Sequence, residues 1–233
     1  MRVLICVFIF CVAILAVSFG TAVQNARAEP TSEDLNEINM PSELFIRLIK
    51  TTAEHDKGVL EMWNRGEDGR FHLTKTHEMC TWSGALGPKL KQGDRQSPEG
   101  FYFIRPSSLN PNSSYHLSFN LGYPNAYDRA HGRTGNYLMV HGDCVSIGCY
   151  AMTDEGIEKI YAGVEDAFAG GQPFIRVHVF PFEMTEENLA AQSDNPNHAF
   201  WTNLKTAWDW FERERVPPNV TVADKTYRFA AAE

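Results

Sequence analysis

The nine residues His141-Gly142-Asp143-Cys144-Val145-Ser146-Ile147-Gly148-Cys149 gather an imidazole, a hydroxyl, two thiols and two glycines. A cysteine becomes a nucleophile when a base makes it thiolate and the backbone beside it lets a substrate carbonyl approach. The segment holds those parts. Cys149 reads as the nucleophile of an acyl transfer and His141, eight residues earlier, as its base. Gly142 lets the chain leave the preceding run sharply, and Gly148 bares the backbone N–H groups near Cys149 for an oxyanion. Ser146 is placed to hydrogen-bond the imidazole or the loop backbone. His131, also beside a glycine, is the alternative base. His141 is preferred because it ends the apolar run Tyr137-Leu138-Met139-Val140, and a strand end holds a side chain more firmly than a loop. Arg129 and Arg133 flank His131 and suit a substrate carboxylate. His116 and His178 fall inside strand patterns and read as satisfied sheet residues. His141, Cys144 and Cys149 resemble part of a zinc set, but no fourth ligand has suitable spacing. No metal and no cofactor is expected.

The chain around this segment reads as exported. Arg2 precedes an apolar run from Val3 to Phe19, and Ala26-Arg27-Ala28 is a small-x-small cleavage site, so residues 1–28 read as a signal peptide. Of five cysteines, Cys6 and Cys11 leave with it. The odd remainder permits Cys80 and Cys144 to pair while Cys149 stays free. The net charge of −8 has no basic tract against it, which disfavours nucleic acid or an anionic membrane surface as partner. No later segment is apolar and long enough to span a bilayer.

Residues 29–41 are polar and acidic and read as a flexible leader. Leu44–Lys50, Val59–Asn64 and Phe71–Thr76 pattern as short strands, the last two joined by the turn Glu67-Asp68-Gly69. The first also fits a helical face, through Leu44, Phe45, Leu48 and Ile49. A long loop from Thr81 to Gly100 leads to strands at Phe101–Ile104 and Tyr115–Asn120. A second loop covers Gly122–Gly135. After Cys149 the period turns helical at Ile157, Ile160, Tyr161, Val164 and Phe168, with Thr153 as N-cap and Gly170-Gly171 as stop. Phe174–Phe180 alternates as a strand. Ala199–Arg215 is a second helix, closed by Pro217-Pro218. The fold class is α+β, mainly β, with one helix after the cysteine and one near the C-terminus.

His141-Gly142 followed by Ser146-Ile147-Gly148-Cys149 resembles the signature of the L,D-transpeptidase (YkuD-type) catalytic domain, in its murein transpeptidase-like subgroup. The lead-in from Ser83-Gly84 and Gly87-Pro88-Lys89 through Gly93-Asp94-Arg95-Gln96-Ser97-Pro98-Glu99-Gly100-Phe101-Tyr102, and the continuation Tyr150-Ala151-Met152-Thr153-Asp154, are similar to that family as well. Two features depart from it. The family's loop between His-Gly and Ser-x-Gly-Cys is longer, a spacing that His131 would restore. Family members also carry Arg or Asn soon after the cysteine, where Tyr150 stands here. Tyr150, Arg129 and Arg133 make the expected substrate-binding set.

The resemblance implies a β-sandwich-like catalytic domain at residues 42–182, with 183–233 as a helical extension packed on it. It implies a periplasmic transferase active in peptidoglycan biosynthesis, cell-wall organisation and cell shape. Cys149 would form a thioester with a peptidoglycan stem peptide and pass it to an amine, giving a cross-link or an attached outer-membrane lipoprotein. The alternatives are a hydrolytic member (an L,D-carboxypeptidase, or an amidase that detaches lipoprotein) and a non-catalytic wall-binding domain.

Overall fold

A strand buried on both faces needs apolar residues at odd and even positions alike, and Leu44-Phe45-Ile46-Arg47-Leu48-Ile49 supplies them. In the computed structural model, which describes residues 43–231, this run is strand β1 (Leu44–Ile49), and all six residues are buried. The helical reading of the run falls to that two-sided burial. The expected signal peptide and the leader lie outside the described residues.

β1 pairs antiparallel with β2 (Val59–Arg65), which pairs antiparallel with β3 (Phe71–Glu78). On its other side β1 runs parallel to β10 (Ile175–Phe180), and β10 pairs antiparallel with β5 (Gly100–Ile104). The first sheet therefore has the order β3-β2-β1-β10-β5. A second sheet has the order β4-β9-β8-β7-β6, formed by β4 (Thr81–Trp82), β6 (Leu109–Ser113), β7 (His116–Asn120), β8 (Met139–His141) and β9 (Tyr150–Ala151).

Helix α2 (Asp154–Ala169) starts where Thr153 Oγ1 accepts the Gly156 N–H, the N-cap expected from the sequence. It buries Ile157, Ile160, Tyr161, Val164 and Ala167 in one core with Leu44, Ile46 and Leu48 of β1 and with Phe119, Val140 and Tyr150 of the second sheet. The opposite face of the first sheet is covered by α4 (His198–Glu214). There Trp201, Leu204, Ala207 and Trp208 meet Ile49, Phe101 and Phe180.

Several elements were not expected from the sequence. Short helices α1 (Ala126–Ala130) and α3 (Glu186–Ala190) sit in segments read as loop or left unassigned. The extension at 183–233 is not purely helical, because it ends in the hairpin β11 (Asn219–Ala223) and β12 (Thr226–Ala230). Its turn residues Asp224 and Lys225 both have positive φ, 51° and 56°, the geometry of a tight type I′-like turn. Tyr227 from this hairpin is buried in the core beneath α4. The described elements bear out an α+β fold that is mainly β.

Candidate active site

Parallel pairing of β8 with β9 sets Val140 opposite Tyr150 and His141 opposite Ala151. Val140 and Tyr150 point into the core, both fully buried. Alternation then puts His141 and Cys149, each one position away, on the opposite face as diagonal neighbours, a spacing of roughly 7–8 Å between backbones that side chains bridge. Both line one cleft of about 260 Å³. This is how residues eight apart in sequence come to share a cleft: the chain leaves β8 after His141, loops through residues 142–149, and re-enters the same sheet alongside.

The imidazole orientation is fixed. His141 Nδ1 lies 2.6 Å from the Gly142 carbonyl, which can only accept, so Nδ1 carries the proton and Nε2 is the basic nitrogen. The ring packs at 4.8 Å from that of Tyr115. Burial lowers the His141 pKa below its ordinary 6.5, against smaller opposing effects of the Gly142 carbonyl and Asp143. Burial likewise raises the Cys149 thiol above its ordinary 9.0, although the Met139 N–H, 3.4 Å from the sulfur, and the Lys89 charge pull the other way. Both shifts favour the neutral thiol and the neutral imidazole. The thiol proton points to the Tyr137 carbonyl at 3.7 Å.

The hydroxyl of Ser146 serves the loop rather than the imidazole. It donates to the Cys149 carbonyl at 2.8 Å, so in its 2.6 Å contact with Ser83 Oγ it is the acceptor, as it also is for the Gly148 N–H at 3.3 Å. Ser97 Oγ donates to the same Cys149 carbonyl at 2.9 Å. Two hydroxyls thus anchor the backbone of Cys149 itself. Gly148 has φ +119°, a conformation that L side chains rarely adopt. At Gly142 the constraint is space: a Cβ would come within 2.6 Å of Asp154 Oδ1, the oxygen that accepts the Asp143 N–H. Cys144 is bonded to Cys80, tying the loop to the segment before β4, and Cys149 is the free cysteine among the described residues.

A second cleft of about 380 Å³ also borders Cys149 and shares Tyr137 with the first. Lys89 and Arg95 line it, with Tyr137 and Ile147 at its rim, 71% and 80% exposed. Lys89 is held by Asp94, while Arg95 is exposed. Sequence reasoning placed Ser83, Lys89, Arg95 and Ser97 in the family-like lead-in but gave them no part in the site, because their loop contributes through tertiary closure.

The remaining expected residues sit elsewhere. The His131 ring bonds the Lys225 carbonyl at 2.8 Å and stacks on Tyr127, facing the C-terminal hairpin and lining neither Cys149 cleft. Arg133 is buried in an ion pair with Asp128 at 2.8 Å, and Arg129 bonds the Pro124 carbonyl beside a different groove. Tyr150 is fully buried, with its O–H on the Pro98 carbonyl, so it cannot touch substrate as expected. His178 lies in a strand as read, but its Nδ1 has no partner among the described residues. Among the described residues no cluster of His, Cys, Asp and Glu could hold a metal, and no helix is long and apolar enough to cross a membrane.

Comparison with known proteins bears on this geometry. Residues 61–179 match the model of the YkuD family, described as the L,D-transpeptidase catalytic domain. YafK of Escherichia coli, named provisionally as an L,D-transpeptidase, is 42% identical over 212 residues, covering 91% of this chain and 84% of YafK. A point mutant of Pgp2 from Campylobacter jejuni, titled a helical cell shape determining protein, is 20% identical, with a TM-score of 0.46 over 73% of this chain and 56% of its own. The matched family acts on peptidoglycan. This chain belongs to the YkuD family of L,D-transpeptidase catalytic domains.

Proposed function

We propose that this protein is an exported cysteine acyltransferase of peptidoglycan stem peptides. One observation carries the reading: Cys149, a free thiol, shares a cleft with His141, whose Nδ1 is locked and whose Nε2 is basic. Because the resting pair is neutral, proton and bond move together. Nε2 takes the thiol proton as sulfur attacks the carbonyl carbon of the L,D-peptide bond. The carbon–nitrogen bond breaks, and the imidazolium protonates the departing amine. The thioester then passes to an incoming amine, giving a cross-link or an attached lipoprotein, as the C–S bond breaks and sulfur recovers its proton. The backbone around Gly148-Cys149 steadies the oxyanion in both steps.

The two clefts divide the substrate. Nε2 serves the leaving and entering groups, so these belong in the cleft with His141. The retained acyl half then lies in the other cleft, where the Arg95 and Lys89 charges suit a carboxylate on the stem peptide. Hydrolysis of the thioester is a second reading, favoured by a hydroxyl in the His141 cleft that has no partner among the described residues.

Incubation of the purified protein with muropeptides, followed by mass spectrometry, tests the proposal. A product altered at the L,D bond is expected, and Cys149→Ala must abolish it. Unchanged muropeptides, with Cys149 intact and reduced, would favour a non-catalytic wall-binding domain.

A further inference from the structure

The side chain of Ser118 stands out among those around Cys149. It is 1% exposed, yet its Oγ has no hydrogen-bond partner among the described residues. Buried hydroxyls are nearly always paired, so an orphan of this kind points to a partner that arrives from outside the protein. Ser118 is central in β7 and stands directly opposite His141 in the antiparallel pairing with β8. Paired residues share a face, and the neighbouring pair Phe119–Val140 is fully buried in the core. Ser118 therefore faces the same side as the imidazole, and both line the cleft that reaches Cys149.

We infer that Ser118 Oγ and His141 Nε2 together seat a water molecule against the thioester, so that this chain hydrolyses its acyl-enzyme wherever no amine is supplied. The inference rests on the thioester proposed at Cys149. A water at this seat offers one proton to Nε2 and exchanges a hydrogen bond with the serine hydroxyl, which fixes its lone pair toward the carbonyl carbon. As its oxygen bonds to that carbon, its proton passes to Nε2 and the C–S bond breaks. The thiolate regains a proton from the imidazolium, and the acyl group leaves as a carboxylic acid. Ser113, Ser114 and Asn110 continue the neutral polar lining of the cleft, which fits an uncharged nucleophile. Ser118 is a positioning residue for that water, and its hydroxyl is dispensable for the first step.

The test follows the acyl-enzyme by intact-protein mass after mixing the full chain with a stem tetrapeptide that ends in an L,D bond, without added amine. In the wild-type protein the thioester adduct forms and decays to free enzyme and tripeptide acid. Ser118→Ala is expected to form the adduct at a rate within about threefold of wild type but to release it about tenfold more slowly, the loss of one hydrogen bond to a reacting group. Ser118→Thr, which restores a hydroxyl, should recover most of the release rate. Added amine should rescue Ser118→Ala more than wild type. Equal decay in Ser118→Ala and wild type would overturn the inference, as would a parallel fall of formation and decay, the mark of a merely structural role. A wild-type protein that never forms the adduct, although iodoacetamide still labels Cys149, would overturn the proposed function and this inference with it.

Discussion

Burial pushes the Cys149 thiol up and the His141 imidazole down, and both shifts favour the uncharged pair. The consequence is a pH profile unlike that of a preformed thiolate–imidazolium pair. Turnover requires neutral imidazole, and the His141 pKa lies below 6.5, so activity should hold from pH 8 down to 6.5 and fall only below it. Alkylation of Cys149 by iodoacetamide should keep climbing beyond pH 9, because the thiol titrates above that value. A labelling rate that levels off near pH 6 would show a standing thiolate and refute this account. The types and spacing of His141, Ser146, Gly148 and Cys149 were legible in the sequence because they occupy one local segment. The charge state was not, since it depends on how much protein closes over them.

Among the elements, the loop between β4 and β5 depends most on a single pair. Lys50, at the end of β1, is fully buried and bonds Glu99 at 2.9 Å, with the Ala85 and Ser97 carbonyls each at 3.2 Å. Glu99 also accepts from the Gly87 N–H at 2.7 Å and from Trp201 Nε1 at 2.8 Å, so one carboxylate joins loop, strand and helix. Burial lowers the Lys50 pKa and Glu99 opposes the shift. Lys50→Met should destabilise the protein by about 3–5 kcal/mol, because it leaves the Glu99 charge buried and unpaired. It should also lower activity, since Ser97 then loses its hold on the Cys149 carbonyl. Adding Glu99→Gln should recover part of the stability in urea unfolding, and no recovery would mean that the pair itself is not the source. A buried Lys–Glu pair across 49 residues leaves no trace in local pattern, so this loop read as mere Gly- and Pro-rich connection. The same holds for α1 and the β11–β12 hairpin. Each is short, and each is fixed by contacts such as those of Asn125 with Tyr227 and the Phe101 carbonyl. The helices α2 and α4 were readable because they are long enough for a 3.6-residue period to repeat.

At the scale of the molecule, the first sheet is packed on both faces, so its central strands bury whatever they carry, including His178 of β10. That ring is 2% exposed, between Phe45 and Phe101 at centroid distances of 4.8 and 4.7 Å. Burial holds its pKa well below 6.5, and the Arg176 and Arg47 charges push the same way. In the unfolded chain His178 binds a proton below about 6.5, whereas in the folded protein it stays neutral. The unfolded state then carries more protons, so stability rises with pH through this window and is lost as pH falls below 6.5. The cost is about 1.4 kcal/mol per pH unit for each such histidine until its folded pKa is reached. His141 adds a contribution of the same sign. His178→Phe keeps an aromatic ring in the cage and removes both the proton linkage and the unpartnered Nδ1. Urea midpoints measured at pH 7.5 and 5.5 should therefore lie closer together in His178→Phe than in wild type. An unchanged gap would mean that the folded protein protonates His178 as readily as the unfolded chain does, against the burial that the two-sided packing imposes.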